Sequence, residues 1–262
     1  MAPKFVIPYR TSGKNDGNDA AAICEAVSRP SMRFIPVKSV EQQSVLALHR
    51  VRPGYIEERT ATLNRLRGLL AEFGHVLPQR PIELRRRLPT RLEQLPPLAA
   101  RALRDLQSHV HQLEERILAY ERELGQLSRQ DARVQRLRAL YGVGPLSASA
   151  IVASVGSAHE FDSGRQFAAW LGLVPRQYST GGKIRLGRIT RRGDPYLRTL
   201  LIMGARAVLQ AAERRQDRLS RWALAVRERR GYHRACVAIA AKNARIIWAL
   251  LARNEPLRGE PA

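Results

Sequence analysis

The stretch LRALYGVGPLSASAIVASVG, residues 137 to 156, decides the fold expected for the C-terminal half of the chain. It predicts a helix, a tight turn containing Gly142 and Gly144, and a second helix that packs closely through the small residues 147–150. This order is typical of a helix-hairpin-helix. Glycines leave backbone N–H groups uncovered at the start of the second helix, where an anion can bind. In a chain this basic, the expected anion is a nucleic-acid phosphate.

The net charge is the strongest signal in the composition. The 262 residues include 45 Lys plus Arg against 23 Asp plus Glu, which gives a formal charge of +22. Such an excess favours a polyanionic partner, and the planar arginine side chain suits phosphates and guanine edges. The alternative is a compositional bias that places arginine on any solvated surface. A hydrophobic fraction of 44% is ordinary for a globular protein, so we expect a packed core.

Cysteine usage and hydropathy indicate the compartment. Cys24 and Cys236 are far apart and lack ligand-like spacing, so neither a disulfide framework nor a zinc site is supported. No apolar run is expected to reach the length of a membrane span, and the start MAPKFVIPYR does not resemble a signal peptide. We therefore expect a cytoplasmic, nucleoid-associated protein with no membrane partner.

Residues 1–39 are predicted to be the remnant of an α/β domain. Two short strand candidates, Lys4–Pro8 (KFVIP) and Arg33–Val37 (RFIPV), flank a helix predicted over Asp19–Val27. Pro36 weakens the second strand candidate. Since one or two short strands cannot make a stable sheet, we expect the first part of this domain to be missing or supplied from elsewhere.

Residues 40–130 are predicted to form a helical arm. Leucines recur at helical spacing from Val40 to about Phe73, with an interruption expected around Pro53-Gly54, and again from Ala99 to Leu127. A Pro- and Arg-rich connector containing a short helix, residues 77–97, joins the two. Two long helices joined in this way suggest an antiparallel coiled coil, and the alternative is an ordinary helical bundle. Either favours self-association or domain spacing over chemistry.

Residues 131–253 are predicted to be an all-α C-terminal domain that is followed by a tail at 254–262. Three more helices are expected there, from Asp194 to about Arg214, from Leu219 to Arg229 and from Arg234 to Leu251. The apolar helix positions around Trp170, Trp222 and Trp248 indicate that these rings belong to the core and are not base-stacking platforms. The chain as a whole is predicted to be mainly α.

Asp16 and Asp19 stand three apart where a polar loop enters a predicted helix. Two carboxylates at this spacing can share a divalent ion, as phosphoryl-transfer sites require. The alternative, which spacing alone favours, is structural: Asp19 caps the helix and Asp16 is a loop acid. A tight Mg²⁺ site needs one or two further carboxylates, and no acidic residue precedes Asp16. The histidines at 109, 111, 159 and 233 have no metal-ligand spacing and are expected to be structural or exposed.

The loop QYSTGGK, residues 177–183, is the second candidate site. It offers exposed hydroxyls, glycines that let a backbone come close, and cations on both sides, a setting in which a serine can attack a phosphodiester. Ser179 is the candidate nucleophile, Tyr178 its rival and Thr180 a weaker one. No base is evident in the sequence. The alternative is a glycine-rich surface loop that only contacts phosphate.

A basic run comes directly after this loop and is expected to contact a DNA or RNA backbone. Apolar residues at 184, 186 and 189 alternate with the charges and are expected to anchor the segment. The alternative is a solvated loop. The candidate nucleic-acid-binding residues are Gly142, Gly144, Arg176, Lys183, Arg185, Arg188, Arg191 and Arg192.

The residues now described resemble a known family. The stretch from GVGP at residue 142 through QYSTGGKIRLGRITRRGDPYLRTLLIMGARAVL, ending at Leu209, resembles the C-terminal domain of the IS110 family of insertion-sequence transposases, relatives of the Piv-type DNA invertases. The segment KNDGNDAAAICEAVSRPSMRFIPVKSVEQQSVLALHRVR, beginning at residue 14, resembles the part of those transposases that comes after the catalytic acids. The two resemblances are long and collinear, and with the helical arm between them they cover most of the chain.

The resemblance implies a RuvC-like N-terminal fold that holds four acids in the order Asp, Glu, Asp, Asp, then a coiled-coil arm and a helical domain with a nucleophilic serine. The last two acids fall on Asp16 and Asp19, and the serine on Ser179, with Thr180 as the neighbouring possibility. It further implies Mg²⁺ held by the acids, a covalent phosphoserine link, and a homo-oligomer, dimer or tetramer. In some members a structured guide RNA takes part. The chain departs from the family pattern because the first Asp and the Glu have no counterpart.

The sequence supports two hypotheses. The first is a DNA transposase that is shortened at its N-terminus and impaired, with Asp16, Asp19 and Ser179 as its remaining active-site residues. The second is a non-catalytic protein that binds DNA or RNA through the glycine turn at Gly142–Gly144 and the basic run Lys183–Arg192.

Overall fold

The computed structural model describes residues 1, 3–11, 13, 15–30, 32, 34 and 36–257. They belong to two compact units, Met1–Val40 and Glu41–Ala262. The chain is mainly helical, as predicted, and the described residues contain one two-stranded sheet.

The N-terminal unit is helical where a strand was predicted. Pro3–Val6 forms a single helical turn, α1, and Ile7–Tyr9 continues it as a 3₁₀ turn. The strand prediction for KFVIP is therefore wrong, because a short apolar run without a partner strand has no ladder to join. Helix α2 spans Asp16–Val27 and begins three residues before the predicted start.

The second predicted strand, at residues 33–37, lies partly outside the described residues, which omit Arg33 and Ile35. Phe34, Pro36 and Val37 are described and are not in a strand. The described part of residues 1–40 thus supplies no β structure, and the RuvC-like relationship of this segment stays a prediction.

The arm contains three helices: α3 (Val40–Glu72), α4 (Pro81–Glu93) and α5 (Pro97–Gln130). The interruption predicted at Pro53-Gly54 is wrong, since α3 runs through both residues. A proline in a helix interior removes one hydrogen bond, and its ring crowds the carbonyl group four residues earlier. Helix α5 contacts α3 on both sides of Pro53, through an ion pair from Arg52 to Glu121 and an edge-on ring contact from Tyr55 to Tyr120.

The core of the arm is built from leucines of all three helices. Arg52 of α3 pairs with Glu121 of α5, and Glu58, further along α3, accepts from His109, which lies earlier in α5. The two long helices therefore run antiparallel, as predicted. Helix α4 closes the bundle with the buried residues Leu84, Leu88 and Leu92, which pack with Leu63, Leu66, Leu70, Leu103 and Val110. The short helix of the connector thus contributes to the core of the arm. A coiled coil of α3 and α5 alone would not need it.

The C-terminal part contains six helices: α6 (Ala132–Arg138), α7 (Pro145–Ser154), α8 (Gly164–Trp170), α9 (Pro195–Ala211), α10 (Arg218–Arg230) and α11 (Tyr232–Arg253). The helix predicted from Asp194 ends at Ala211 and continues as a 3₁₀ turn, Ala212–Arg214. Between α8 and α9 the chain forms two strands, β1 (Pro175–Gln177) and β2 (Leu186–Ile189). The prediction of an all-α domain is wrong on this point.

Helix α11 is the centre of the C-terminal core. Its buried residues include Ile239, Ala240, Ala244 and Ile247, and it packs against α8, α9 and α10. By length and composition alone, α11 is long and apolar enough to cross a membrane. The sequence had been expected to contain no such run, but the core helix of a soluble protein can pass the same test. All three tryptophans pack against this core as predicted, and the Trp248 indole N–H donates to two backbone carbonyls at 3.0 Å.

Candidate nucleic-acid interface

A two-stranded antiparallel hairpin, residues 175–189, carries Ser179 and four of the predicted nucleic-acid contacts. In its ladder Gln177 lies opposite Leu186. One step towards the tip, the backbone N–H of Tyr178 donates to the carbonyl oxygen of Arg185 over 2.9 Å. A register shift separates this part from the base of the hairpin. The pairing thus continues past the formal strand ends towards the tip.

The tip of the hairpin is a glycine turn. Thr180 and Lys183 form an isolated bridge, in which the Lys183 N–H donates to the Thr180 carbonyl oxygen over 3.1 Å. Gly181 and Gly182, between them, have φ values of 56° and 74°, which favour glycine in a two-residue hairpin turn. Because Thr180 pairs with Lys183, the preceding residue, Ser179, lies opposite Ile184.

Successive side chains of this hairpin alternate between two faces. Ser179 shares one face with Gln177, whose Nε2 donates to the Ser179 Oγ over 2.8 Å. Tyr178 and Thr180 belong to the other face, where a Cβ on Gly187 would lie 3.2 Å from the Tyr178 ring. The exposed Ser179 hydroxyl accepts from Gln177 and keeps its own hydrogen free to donate, although an amide cannot serve as a base for it. The structure therefore separates Ser179 from both rival hydroxyls.

The hairpin and the turn that comes after it are strongly cationic. No acidic residue lies between Asp162 and Asp194 in the sequence. Six cations fall between residues 175 and 193, all are exposed, and none forms an ion pair in the described part of the chain: Arg176, Lys183, Arg185, Arg188, Arg191 and Arg192. Uncompensated exposed cations at this density attract a polyanion, which releases counterions when it binds them.

The apolar residues of the hairpin do not anchor it, contrary to the prediction. Ile184 is 75% exposed and Leu186 is 63% exposed, while Ile189 is half-buried. Alternating apolar and charged residues predict one buried face only where the sheet packs against another part of the protein. Both faces of this two-stranded hairpin are exposed, so its apolar side chains have no core to join. The hairpin must therefore be held at its base.

Two glycines allow the base of the hairpin to pack tightly. A Cβ on Gly172 would lie 2.2 Å from the carbonyl oxygen of Arg192, and one on Gly193 would lie 1.9 Å from that of Trp170. Both glycines have positive φ, at 72° and 76°. These distances exclude a side chain at either position, so backbone lies directly against backbone where the hairpin leaves the helical core.

Arg198 and Asp194, at the start of α9, complete this base. The Arg198 Nη1 donates to the carbonyl oxygens of Leu171 (3.1 Å) and Arg192 (2.9 Å), one on each side of the hairpin. Asp194 accepts from the first free N–H groups of α9, at 2.7 and 3.3 Å, and so caps the helix. Sequence analysis did not single out Arg198, because an arginine one turn into an amphipathic helix has no distinguishing pattern.

The glycine turn at 142–144 has a helix on each side, α6 and α7, and it lies against α9. Gly142 has φ of 82°, and a Cβ there would lie 2.8 Å from the carbonyl oxygen of Gly204. The side-chain amide of Asn243 donates to the carbonyl oxygen of Tyr141 over 2.9 Å and fixes the turn from α11. Gly144, the N-cap of α7, is exposed. Phosphate binding at this turn stays a prediction.

A buried polar cluster joins the arm to this domain and was missed in the sequence. His49 of α3 is 2% exposed, and its ring nitrogens lie 3.0 Å from the Tyr196 hydroxyl and 2.9 Å from the Ser149 Oγ. Burial, with a contribution from the nearby Arg52 charge, lowers the pKa of His49 from 6.5 to about 4. The ring is therefore neutral at physiological pH and links α3 to α7 and α9. A single histidine in the apolar run SVLALHRV was the available signal.

Asp16 and Asp19 lie in the first turn of α2, three residues apart, where side chains share a helix face. The helix cap is Asn15, whose side chain accepts from the Asn18 N–H over 2.7 Å, so the alternative that Asp19 caps the helix is wrong. Asp19 lies 3.6 Å from the Arg10 guanidinium. Within the described ranges no group of three or more His, Cys, Asp or Glu could hold a metal ion. The pair supplies two of the four acids that the family resemblance implies.

Comparison with known proteins gives matches along most of the chain. The family model described as "Transposase IS116/IS110/IS902 family" matches residues 134–220, and a DEDD-type IS110 transposase model matches residues 4–75. A probable family 20 transposase of Pseudomonas aeruginosa is 52% identical over 259 residues, covering 97% of this chain and 77% of the relative. The transposase for insertion sequence element IS1111A of Coxiella burnetii is 46% identical, covering 98% and 72%. That for IS1328 of Yersinia enterocolitica is 42% identical, covering 95% and 75%.

Proposed function

The chain belongs to the IS116/IS110/IS902 family of transposases, and we propose that it binds the DNA ends of an insertion sequence through the hairpin 175–189 and the glycine turn at Gly142–Gly144. The observation that carries this proposal is an exposed serine on a projecting hairpin, with six unpaired cations and no acid from residue 175 to residue 193. Phosphate contacts of this kind supply affinity and position, and they make binding strongly dependent on salt.

We propose Ser179 as the nucleophile of strand exchange. Its Oγ would attack the phosphorus of a phosphodiester, forming a phosphoserine ester, while the displaced deoxyribose oxygen leaves with the proton. The serine assignment rests on the family resemblance, and two features support it: exposure of the hydroxyl and its separation from Tyr178 and Thr180 on the other face. Arg188, also in β2, is exposed and can contact a neighbouring phosphate.

A divalent ion would polarise the phosphodiester and stabilise the charge that develops on it, and we propose that Asp16 and Asp19 contribute two of its ligands. The described residues do not complete the donor set. No step of the reaction is therefore assigned to the metal. The 262-residue chain acting alone is expected to bind nucleic acid and to be impaired in cleavage.

The second candidate function is a non-catalytic DNA- or RNA-binding protein, which the exposed, unpaired cations of the hairpin would serve equally well. Both candidates predict salt-dependent binding, so the discriminating readout is covalent. The purified chain is incubated with Mg²⁺ and labelled duplex DNA, and protein-linked label is measured after denaturation. We expect retarded DNA in a gel shift but no covalent adduct from the chain alone. An adduct that is lost in Ser179→Ala and kept in Thr180→Ala would overturn the proposed impairment and would support Ser179 as the nucleophile.

The cationic run can be tested by the salt dependence of the same gel shift. Neutralising Arg188, Arg191 and Arg192 together should reduce the slope of log K against log salt by about 3, since each phosphate contact contributes about 0.9. Ser179→Ala should leave the slope unchanged. An unchanged slope in the triple variant would show that this run does not lie on the phosphates.

We further propose that the chain acts in the cytoplasm as a homo-oligomer, dimer or tetramer, and that a structured guide RNA is a partner, which the same binding assay tests with RNA in place of DNA. Leu113 is 2% exposed and Leu106 is partly buried within the arm, so an acid at either position would disrupt folding instead of assembly. Leu118 of α5 is 48% exposed and suits the test better. Leu118→Asp should lower the mass measured by light scattering if the arm self-associates.

A further inference from the structure

Two large apolar side chains flank Ser179 on its face of the hairpin. Gln177 lies opposite Leu186, and Ser179 lies opposite Ile184, so all four side chains share one face. Ile184 and Leu186 are 75% and 63% exposed. The three cations nearest the tip, Arg176, Lys183 and Arg185, lie on the other face with Tyr178. The serine is therefore bordered by hydrocarbon and not by charge.

The surroundings of Ile184 and Leu186 restrict what can cover them. A second copy of this hairpin would bring its own four unpaired cations close to the four cations of the first, which like-charge repulsion disfavours. A polyanion is attracted by the same cations. The groups next to a phosphodiester that present carbon are the deoxyribose and the faces of the flanking bases.

Resting on the proposed function, we infer that Ile184 and Leu186 contact the bases or sugars beside the phosphate that faces Ser179, and that the hairpin tip binds a duplex step whose bases are unstacked. Base faces are hidden in a regular duplex. Apolar side chains reach them by wedging into a step, at a cost in stacking, as other DNA-bending proteins do. Ile184 and Leu186 are thus positioning residues for the serine's substrate, and the cations of the opposite face hold flanking phosphates.

This inference predicts a preference for DNA whose central step is already open. The probes are a short matched duplex and the same duplex with adjacent mismatched base pairs at its centre. The wild-type chain should bind the mismatched duplex about tenfold more tightly, because the mismatches remove part of the cost of unstacking the step. In Ile184→Ser/Leu186→Ser the preference should fall to about onefold, and the salt slope should not change.

A matched control is available in the arm. Ile82 of α4 and Leu98 of α5 are 72% and 77% exposed, so Ile82→Ser/Leu98→Ser removes the same side-chain types from similarly exposed positions. This control should keep the full preference for the mismatched duplex. A 2-aminopurine placed at the central step of the matched duplex provides an independent readout. Its fluorescence should rise when the wild-type chain or the control binds, and stay low with the hairpin variant.

The outcomes separate this inference from the proposed function. The role of Ile184 and Leu186 is overturned if the wild-type chain binds both duplexes with equal affinity, or if the hairpin variant keeps the preference for the mismatched duplex. Salt-dependent DNA binding would remain in either case. A lower mass for the hairpin variant in sedimentation equilibrium, with the preference unchanged, would assign the apolar face to contact between copies of the chain and also overturns it. Absence of salt-dependent binding to either duplex would remove the proposed function together with the inference.

Discussion

The predicted phosphate-binding turn packs directly on α9, where the backbone of Gly142 lies against the backbone of Gly204. A Cβ added to Gly204 would lie 1.8 Å from the carbonyl oxygen of Gly142 and 2.9 Å from its carbonyl carbon. Real Cβ atoms essentially never come within 3.0 Å of a heavy atom outside their own residue and its chain neighbours. In Gly204→Ala, α9 and the turn must therefore separate by about 1 Å, in a region where both are packed against the core.

The size of the effect is set by two opposing contributions. Alanine in a helix interior is favoured over glycine by about 1 kcal/mol, because glycine loses more backbone freedom on folding. Overpacking a close-packed contact costs about 1–3 kcal/mol and more where backbone atoms must move. The clash here is with backbone, so it outweighs the propensity gain. We expect the free energy of unfolding to fall by about 2 kcal/mol and the melting temperature by roughly 4–8 °C.

The assay is thermal and urea unfolding monitored by circular dichroism, with Gly68→Ala as the control. Gly68 lies within α3 in a helical conformation, and a Cβ there would meet nothing within 4 Å. This control should gain about 1 kcal/mol, the intrinsic helix preference alone. Opposite signs for the two substitutions would support the close approach. Gly204→Ala at or above wild-type stability, or an equal loss in both variants, would refute the reasoning.

Three further substitutions or conditions test the elements around α9. Burial lowers the pKa of His49 to about 4, so His49 takes up a proton near pH 6.5 in the unfolded chain but only near pH 4 in the folded chain. The free energy of unfolding should therefore fall as the pH is lowered from 6.5 to 4, by at most about 3 kcal/mol. Urea titrations should show that part of the pH dependence disappear in His49→Gln. Asp194→Ala removes the cap of α9 and should cost about 1 kcal/mol, whereas Asp194→Asn should cost less. Arg198→Met should speed amide hydrogen exchange in the hairpin while exchange in the α11 core is unchanged, since Arg198 bonds to both sides of the hairpin base.

Helices with strong apolar periodicity were predictable from the sequence, and their ends were less so. The arm and the last two helices fall where leucine and isoleucine spacing predicted them, because that spacing reports the face that each helix buries. The break predicted at Pro53 did not occur. Sequence rules judge a proline by the hydrogen bond that it removes, and they do not include the contacts that α5 makes on either side of it.

The hairpin shows why the candidate site was only partly predictable. Its exposed serine, its glycines and its cations were identified from residue types alone. The pairing that puts Ser179 opposite Ile184 was not, since it depends on the Thr180–Lys183 bridge and on a register shift nearer the base. A register different by one residue would exchange the two faces and place the serine among the cations. Composition therefore indicated the candidate residues but could not assign them to a face of the hairpin.

Helix α9 connects the two elements proposed to contact nucleic acid, and no local pattern in the sequence indicates this. Its first turn holds the hairpin base through Arg198, and its middle receives the glycine turn at Gly204. Tyr196, also in the first turn, bonds to His49 of the arm. The contact of Tyr196 with His49 and that of Gly204 with Gly142 both join residues far apart in the chain. They can form only when the core has formed. A displacement of α9 should therefore alter the proposed phosphate contacts at the hairpin and at the glycine turn together. We expect Gly204→Ala to weaken DNA binding although it removes no charge from either element.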